Sequence, residues 1–299
     1  MGYSDQTMLE TEDGCIFTSI GNMHPVGISL GLIVYIPWEE ELQTVPHIKR
    51  TAIKERSYAK ITPVWHFTSR RAYFDCLKKY AHYIYEDPLF GKVTAIPDRA
   101  VMQSYLPQWD ISLELEKILE EACFCLEIPK EATRITGSPL FTQKNGNDVD
   151  IAIYGRKHVQ KAVERIRELT KIPQYQFIRY GRIHQKLFCL GKHVIDIFPL
   201  YSQEDMPPFP QKVEYQGQVL VQGEVAEEFD AAFTPSTYLL HDGKLLLSYQ
   251  IGHKLLLRKG DKVEVNAHKI CFPETKQEAF LIRLGDPWED PTLEKRFPK

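Results

Sequence analysis

Three aspartates sit at spacings that suit metal-assisted chemistry. Asp148 and Asp150 alternate with Val149, Ile151 and Ile153. This period of two predicts a strand carrying both carboxylates on one face, about 6.6 Å apart along the backbone. The apolar face fixes the register, because a slip of one residue would turn both acids into the core. Asp196 stands between Ile195 and Ile197 and is forced by the same alternation onto the polar face of a second strand. If the two strands are neighbours, three carboxylates converge. At about 4 Å and an effective dielectric near 20, each like-charged pair costs roughly 4 kcal/mol. Such a cluster calls for a divalent cation, and carboxylate oxygens suit Mg²⁺, or Mn²⁺.

Upstream, Gly137-Ser138 lies between a short β-like run, Thr133 to Gly137, and a helical turn opened by Pro139. Glycine lets backbone approach a phosphate closely, amides at the start of the turn can bind its oxygens, and Ser138 adds a hydroxyl. Pro139 fits the first helical position, where its missing N–H costs nothing. A phosphate cradle, an acidic pair and a third acid together describe two-metal phosphoryl or nucleotidyl transfer.

Beside these residues runs a basic stretch, Arg179, Arg182, His184, Lys186 and Lys192, interleaved with Tyr180 and Phe188. It reads either as a contact for triphosphate or an RNA backbone, or as a charged strand edge. Lys186 is the residue placed to reach the acidic face. His24, ahead of Pro25, has no partner in the sequence and is expected to be a structural hydrogen bonder. The helix over Lys157 to Thr170 carries Lys161, Arg165 and Arg167 off its apolar stripe, as a solvated face. Trp38, Trp65, Trp109 and Trp288 share no spacing and are assigned to packing.

The elements that must position the acids follow from periodicity. Ile111, Leu115, Ile118, Leu119, Ala122 and Leu126 predict a helix capped by Asp110 and ended by Pro129. Val159, Ala162, Val163, Ile166 and Leu169 predict another. Lys186 to Leu190 and Val194 to Phe198 form a hairpin through Gly191-Lys192. The N-terminal third reads as mostly β, with a hairpin at Asp13-Gly14 and a strand from Ile28 to Ile36. One helix there, capped by Ser69, carries Tyr73, Cys76, Leu77, Tyr80 and Ile84, and a linker follows through Pro88, Gly91 and Pro97. Beyond Pro207, Pro208 and Pro210, short strands over Tyr238 to Leu240, Lys244 to Tyr249, Lys254 to Arg258, Lys262 to Val265 and Ala279 to Leu284 predict a small antiparallel sheet or barrel.

Thr136-Gly137-Ser138, nine residues, then Asp148-Val149-Asp150-Ile151 resembles the signature of the DNA polymerase β-like nucleotidyltransferase superfamily, and Val194-Ile195-Asp196-Ile197 matches its third acid. The resemblance covers roughly residues 110–200. It implies a mixed sheet flanked by helices, Asp148 and Asp150 as shared metal ligands, and Asp196 as the ligand that also activates the acceptor hydroxyl. Thr136 stands where a more apolar residue is usual, and Pro139 directly follows the serine. More loosely, the whole chain is similar to an uncharacterised prokaryotic family of predicted nucleotidyltransferases. Asp13-Gly14-Cys15-Ile16-Phe17, Gly21-Asn22-Met23-His24-Pro25 and Phe233-Thr234-Pro235 with Tyr238 carry that likeness.

The expected architecture is α+β: residues 1–100 a mainly-β domain with one helix, 101–205 a mixed-sheet nucleotidyltransferase core flanked by helices, and 206–299 a small antiparallel β domain. The expected reaction moves a nucleoside monophosphate from an NTP to an acceptor, whether RNA, protein or small molecule, with Mg²⁺ or Mn²⁺. The alternatives are a catalytically weak or inactive nucleotide- or RNA-binding module on the same fold, and a metal-dependent phosphohydrolase. A net charge of −3 over 299 residues places any nucleic-acid contact on a local patch and gives no DNA-specific signal. No apolar run approaches the roughly 20 residues that span a bilayer, and Met1 to Glu10 lacks the order of a signal peptide, so a cytoplasmic protein is expected. The six cysteines show no C-x-x-C pair and read as buried thiols.

Overall fold

The computed structural model describes residues 3–22, 24–44, 48–61, 73–142, 148–179, 182–206 and 212–286. Strand outweighs helix, 46% to 22%, and the class is α+β.

Eight strands make an N-terminal sheet: β1 (Met8–Thr11), β2 (Ile16–Ser19), β3 (Ile28–Pro37), β4 (Lys49–Ile53), β5 (Arg56–Lys60), β6 (Ile84–Asp87), β7 (Gly91–Pro97) and β8 (Val101–Tyr105). The order β4-β5-β3-β2-β1-β8 forms its main path, and β7 joins β3 and β6. The Asp13-Gly14 turn connects β1 to β2 as the sequence predicts. Two expectations fail here. The stripe over residues 73–84 is not one helix: a 3-10 segment, Lys78–Tyr83, contains Tyr80 at φ −106, ψ 28, and Ile84 opens β6. Apolar spacing did not report that tertiary pairing to β7 ends the helix early. Ser69, Trp65 and Trp288 lie outside the described residues. The expected linker is strand β7, because Leu30 and Ala95 bring β3 and β7 together as an antiparallel pair. β8 pairs with β1, so the N-terminal sheet extends to Tyr105, past residue 100.

The middle unit is a five-stranded mixed sheet of β9 (Thr133–Thr136), β10 (Asp148–Tyr154), β11 (Gln176–Arg179), β12 (Arg182–Leu190) and β13 (His193–Leu200), in the order β11-β12-β13-β10-β9. Only β10 and β13 are parallel within it. Helix α1 (Leu113–Leu126) starts at Ser112, not Asp110: the Ser112 side chain accepts from the Leu115 amide, satisfying an orphan donor of the first turn. Glu114 and Glu116 complement the helix dipole there. A single turn, α2 (Pro139–Thr142), precedes β10, and α3 (Arg156–Leu169) follows it. Gly155, at φ +90, turns the chain into α3, whose first amide is capped by Asp205 Oδ2 at 2.8 Å. Leu115, Ile118, Leu119 and Ala122 of α1 and Val159, Ala162, Val163 and Ile166 of α3 bury one sheet face, against Val149, Ile151, Ile195 and Ile197. The acidic face is the other one.

The C-terminal unit is a closed barrel, β14-β15-β16-β18-β17, from β14 (Glu214–Asp230), β15 (Ser236–Leu240), β16 (Leu245–Ser248), β17 (Lys262–Phe272) and β18 (Gln277–Ile282). Closure requires β16 and β18 to pair in parallel, which departs from the all-antiparallel expectation. Lys254 to Arg258 is not a strand but a turn structure after a 3-10 segment, Ile251–His253. Shared apolar clusters join all three units. Leu240, Leu255 and Val265 of the barrel extend the core of the middle sheet. Ile20, Leu30 and Phe90 of the N-terminal sheet pack with Tyr249 and Leu281 of the barrel, and Tyr35 and Tyr58 lie in one cluster with Phe141 of α2.

Candidate functional site

β10 and β13 run side by side with Asp150 directly opposite Asp196. Adjacent strands lie about 4.8 Å apart, so the two carboxylates are immediate neighbours. Asp148, opposite Val194, is two residues back on the same face and is exposed. The expected convergence of three acids is therefore only a pair at close range. Among the described residues no three His, Cys, Asp or Glu side chains gather as a coordinating group. Asp148 acts on both of the other acids through its charge.

The pair is electrostatically strained. Burial, then the charge of Asp196, pushes the Asp150 carboxyl up to about 7, against the opposing pull of Lys186 and Lys60. Burial likewise raises Asp196, although the Lys186 ammonium lies 2.6 Å from its Oδ1. Both side chains of that ion pair are largely covered, 12% exposed for Lys186 and 21% for Asp196. The β12–β13 ladder runs from Leu190↔His193 to Leu187↔Asp196. Lys186 lies one residue past that last pair, where it reaches Asp196 and sits 4.5 Å from the centre of the Phe198 ring.

Gly137 borders the acids. β9 pairs with β10 so that Thr136 faces Asp150, and Gly137 then turns at φ +73, a conformation that side chains disfavour. A Cβ at this position would collide with Asp150 Oδ2. The missing side chain is what lets the Asp150 carboxylate pack directly against the turn. Ser138 follows at the start of α2, whose Leu140 and Phe141 amides bond back to Gly137 and Ser138. α2 spans only four residues, too few to develop the dipole of a longer helix. Any phosphate contact there rests on local donors.

Carboxylate oxygens are the donor type that a divalent cation prefers. Asp150 and Asp196 offer adjacent oxygens in a site that penalises their charge, and among the described residues Lys186 is the ammonium in contact with Asp196. Two residues that sequence patterns did not mark also belong to this site. Tyr35 of β3 is buried beside it, its phenol pushed up to about 12 by burial and then by the Asp150 charge. Lys60, opposite Tyr35 in the β3–β5 ladder, holds its ammonium 5.9 Å from the centre of that ring. Neither lies near the acids in sequence, so no spacing reports them.

Several of the other polar residues marked by the sequence have structural partners. His24 accepts from the Leu30 amide and bonds the Tyr3 carbonyl. Lys161 and Arg165 pair with Glu127, and Arg167 with Glu228. His184 lies edge-on to Phe177, Lys192 is exposed, and Tyr180 falls outside the described residues. Trp109 stacks under Arg134, and Trp38 is half-buried in the N-terminal cluster. The six thiols are free, with Cys15 and Cys123 fully buried. No helix among the described residues is long and apolar enough to cross a membrane. Comparison with protein-family models, with curated proteins and with solved structures finds no match for this chain.

Proposed function

We propose that this chain is a divalent-metal-dependent nucleotidyltransferase, similar in its site to the DNA polymerase β-like superfamily. One observation carries the reading: Asp150 and Asp196 stand in register on adjacent parallel strands, with the Asp150 carboxylate packed directly against the Gly137 turn. Asp150 and Asp196 would hold Mg²⁺ or Mn²⁺, with Asp148 beside them on the same face. Such an ion, when bound, supplies Lewis-acid stabilisation of charge on the phosphate. The Gly137–Ser138 turn receives the phosphates of the NTP. The acceptor oxygen bonds to the α-phosphorus, the bond from that phosphorus to the bridging oxygen breaks, and pyrophosphate leaves with the electron pair. The acceptor proton passes to the Asp196 carboxylate, which Lys186 orients. Cofactor and substrate are thus Mg²⁺ or Mn²⁺ and an NTP.

The test is transfer of label from each α-labelled NTP, with pyrophosphate release, in Mg²⁺ or Mn²⁺. Wild type incorporates label into an acceptor and Asp150→Asn does not. Wild-type protein that binds Mn²⁺ yet releases no pyrophosphate from any NTP defeats the proposal. The 2.6 Å Lys186–Asp196 pair favours a second reading, a nucleotide- or RNA-binding module in which the ammonium replaces the ion. That reading expects NTP binding without pyrophosphate release.

A further inference from the structure

The middle sheet that carries the acids packs against both other units, and each of those units holds a lysine whose charge acts on an acid of the pair. On the N-terminal side, Lys60 closes β5 opposite Tyr35. Tyr35 shares a cluster with Leu140 and Phe141, the residues just after the Gly137–Ser138 turn. Packing of α2 against Tyr35 therefore brings the Lys60 end of β5 to this side of the site, and the Lys60 charge acts on Asp150. On the C-terminal side, Lys254 is half-buried and its neighbours are fixed. The His253 ring bonds Ser248 and its carbonyl accepts from the Tyr238 hydroxyl. Leu255 is buried in the shared core at φ +57, with its amide bonded to Ala231. A left-handed, β-carbon-bearing residue costs about 1 kcal/mol or more and persists only where its surroundings enforce it. Lys254 thus sits between the buried His253 and Leu255, and Asp5, Asp196 and Lys186 are the charged groups that act on it.

Among the described residues, neither Lys60 nor Lys254 has an ion-pair or hydrogen-bond partner. A half-buried ammonium held near a second ammonium carries an electrostatic cost. A polyanion placed between the three lysines removes that cost.

We propose that Lys60 and Lys254 close the site from opposite sides as the cations that hold the β- and γ-phosphates of the substrate, and the pyrophosphate that leaves. The proposal rests on the nucleotidyltransferase reading above and names the residues through which the two flanking β units serve it. Those units are then parts of one active site and not appended partner surfaces.

The full-length chain tests this with two probes. Mn²⁺ binding is counted by electron paramagnetic resonance, and binding of Mg²⁺–tripolyphosphate is measured by calorimetry, on wild type, Lys60→Gln, Lys254→Gln and the Arg replacements. A charge-assisted hydrogen bond contributes enough that each Gln variant should weaken tripolyphosphate binding about tenfold or more. Mn²⁺ binding should be no weaker than in wild type, because losing a nearby ammonium lessens repulsion of the ion, and Arg should recover part of the tripolyphosphate affinity. Circular dichroism and the unfolding midpoint identify any variant that fails to fold, and the Arg replacement at that position then decides. Tripolyphosphate binding equal to wild type in both Gln variants overturns the inference while leaving the metal site intact. Wild type that binds Mn²⁺ but not tripolyphosphate also overturns it. Wild type that binds neither probe defeats the nucleotidyltransferase reading itself.

Discussion

Replacing Asp150 by asparagine should stabilise the metal-free protein while destroying its function. The side chain keeps its shape and loses its charge. In the native fold the carboxyl is raised from its ordinary 3.8 to about 7, by burial and by Asp196. At about 1.4 kcal/mol per tenfold change in proton affinity, that rise corresponds to as much as about 4 kcal/mol. The direction with pH follows from which state holds the proton. Below about pH 4 the carboxyl is protonated in folded and unfolded chains alike and adds nothing. From about pH 4 to 7 the unfolded chain ionises first, so native stability falls as pH rises. Above about pH 7 the full penalty is present in wild type and absent from the variant. Urea unfolding should therefore show Asp150→Asn more stable than wild type at pH 8, with the gap closing toward pH 4. Mn²⁺ at about a hundred times its dissociation constant should add about 2.7 kcal/mol to wild type and little to the variant. A variant less stable than wild type at pH 8 would refute the strained pair. Equal stabilisation of both proteins by Mn²⁺ would remove Asp150 from the ligand set.

Three other perturbations separate site from scaffold. Gly137→Ala places a Cβ against Asp150 Oδ2 in a left-handed turn at φ +73; the backbone alone costs about 1–2 kcal/mol, and both Mn²⁺ binding and turnover should be lost even where the protein remains folded by circular dichroism. Asp230, 4% exposed, accepts from Arg156 Nε and Nη2 at 2.9 and 2.7 Å and from Tyr201 at 3.1 Å, joining α3 to the barrel. Asp230→Ala should cost about 2 kcal/mol in urea unfolding, and unchanged stability would deny that this contact secures the barrel. Burial opposes ionisation of Asp13, but hydrogen bonds from Thr11 and Tyr83 and the nearby His82 hold its carboxyl below the usual range. Its contribution is present above about pH 4 and disappears as pH falls through the lowered value. Asp13→Asn should accordingly cost about 1 kcal/mol at pH 7 and nothing at pH 2, and a cost that persists in acid would contradict the assignment.

Sequence alone determined what is local. Alternation around Asp148, Asp150 and Asp196 placed them on the polar faces of their strands, because inverting the register would have buried charge and exposed valine and isoleucine. The turns at Asp13-Gly14 and Gly191-Lys192 were legible for the same reason, since a few residues contain all the physics of a hairpin. Tertiary structure decided what depends on distant chain. Asp150 meets Asp196 because the intervening α3 and the β11–β12 pair return β13 parallel and in register beside β10, and nothing within either strand encodes that neighbour. The helix that begins this stripe covers 73–76, and the residues after it became a 3-10 segment and β6 because β7 pairs with β6, although the apolar spacing of the whole stripe is helical. Lys60, Tyr35 and Lys254 come within electrostatic reach of the acids only because apolar faces of three units pack against one another, and burial of nonpolar area is blind to sequence separation.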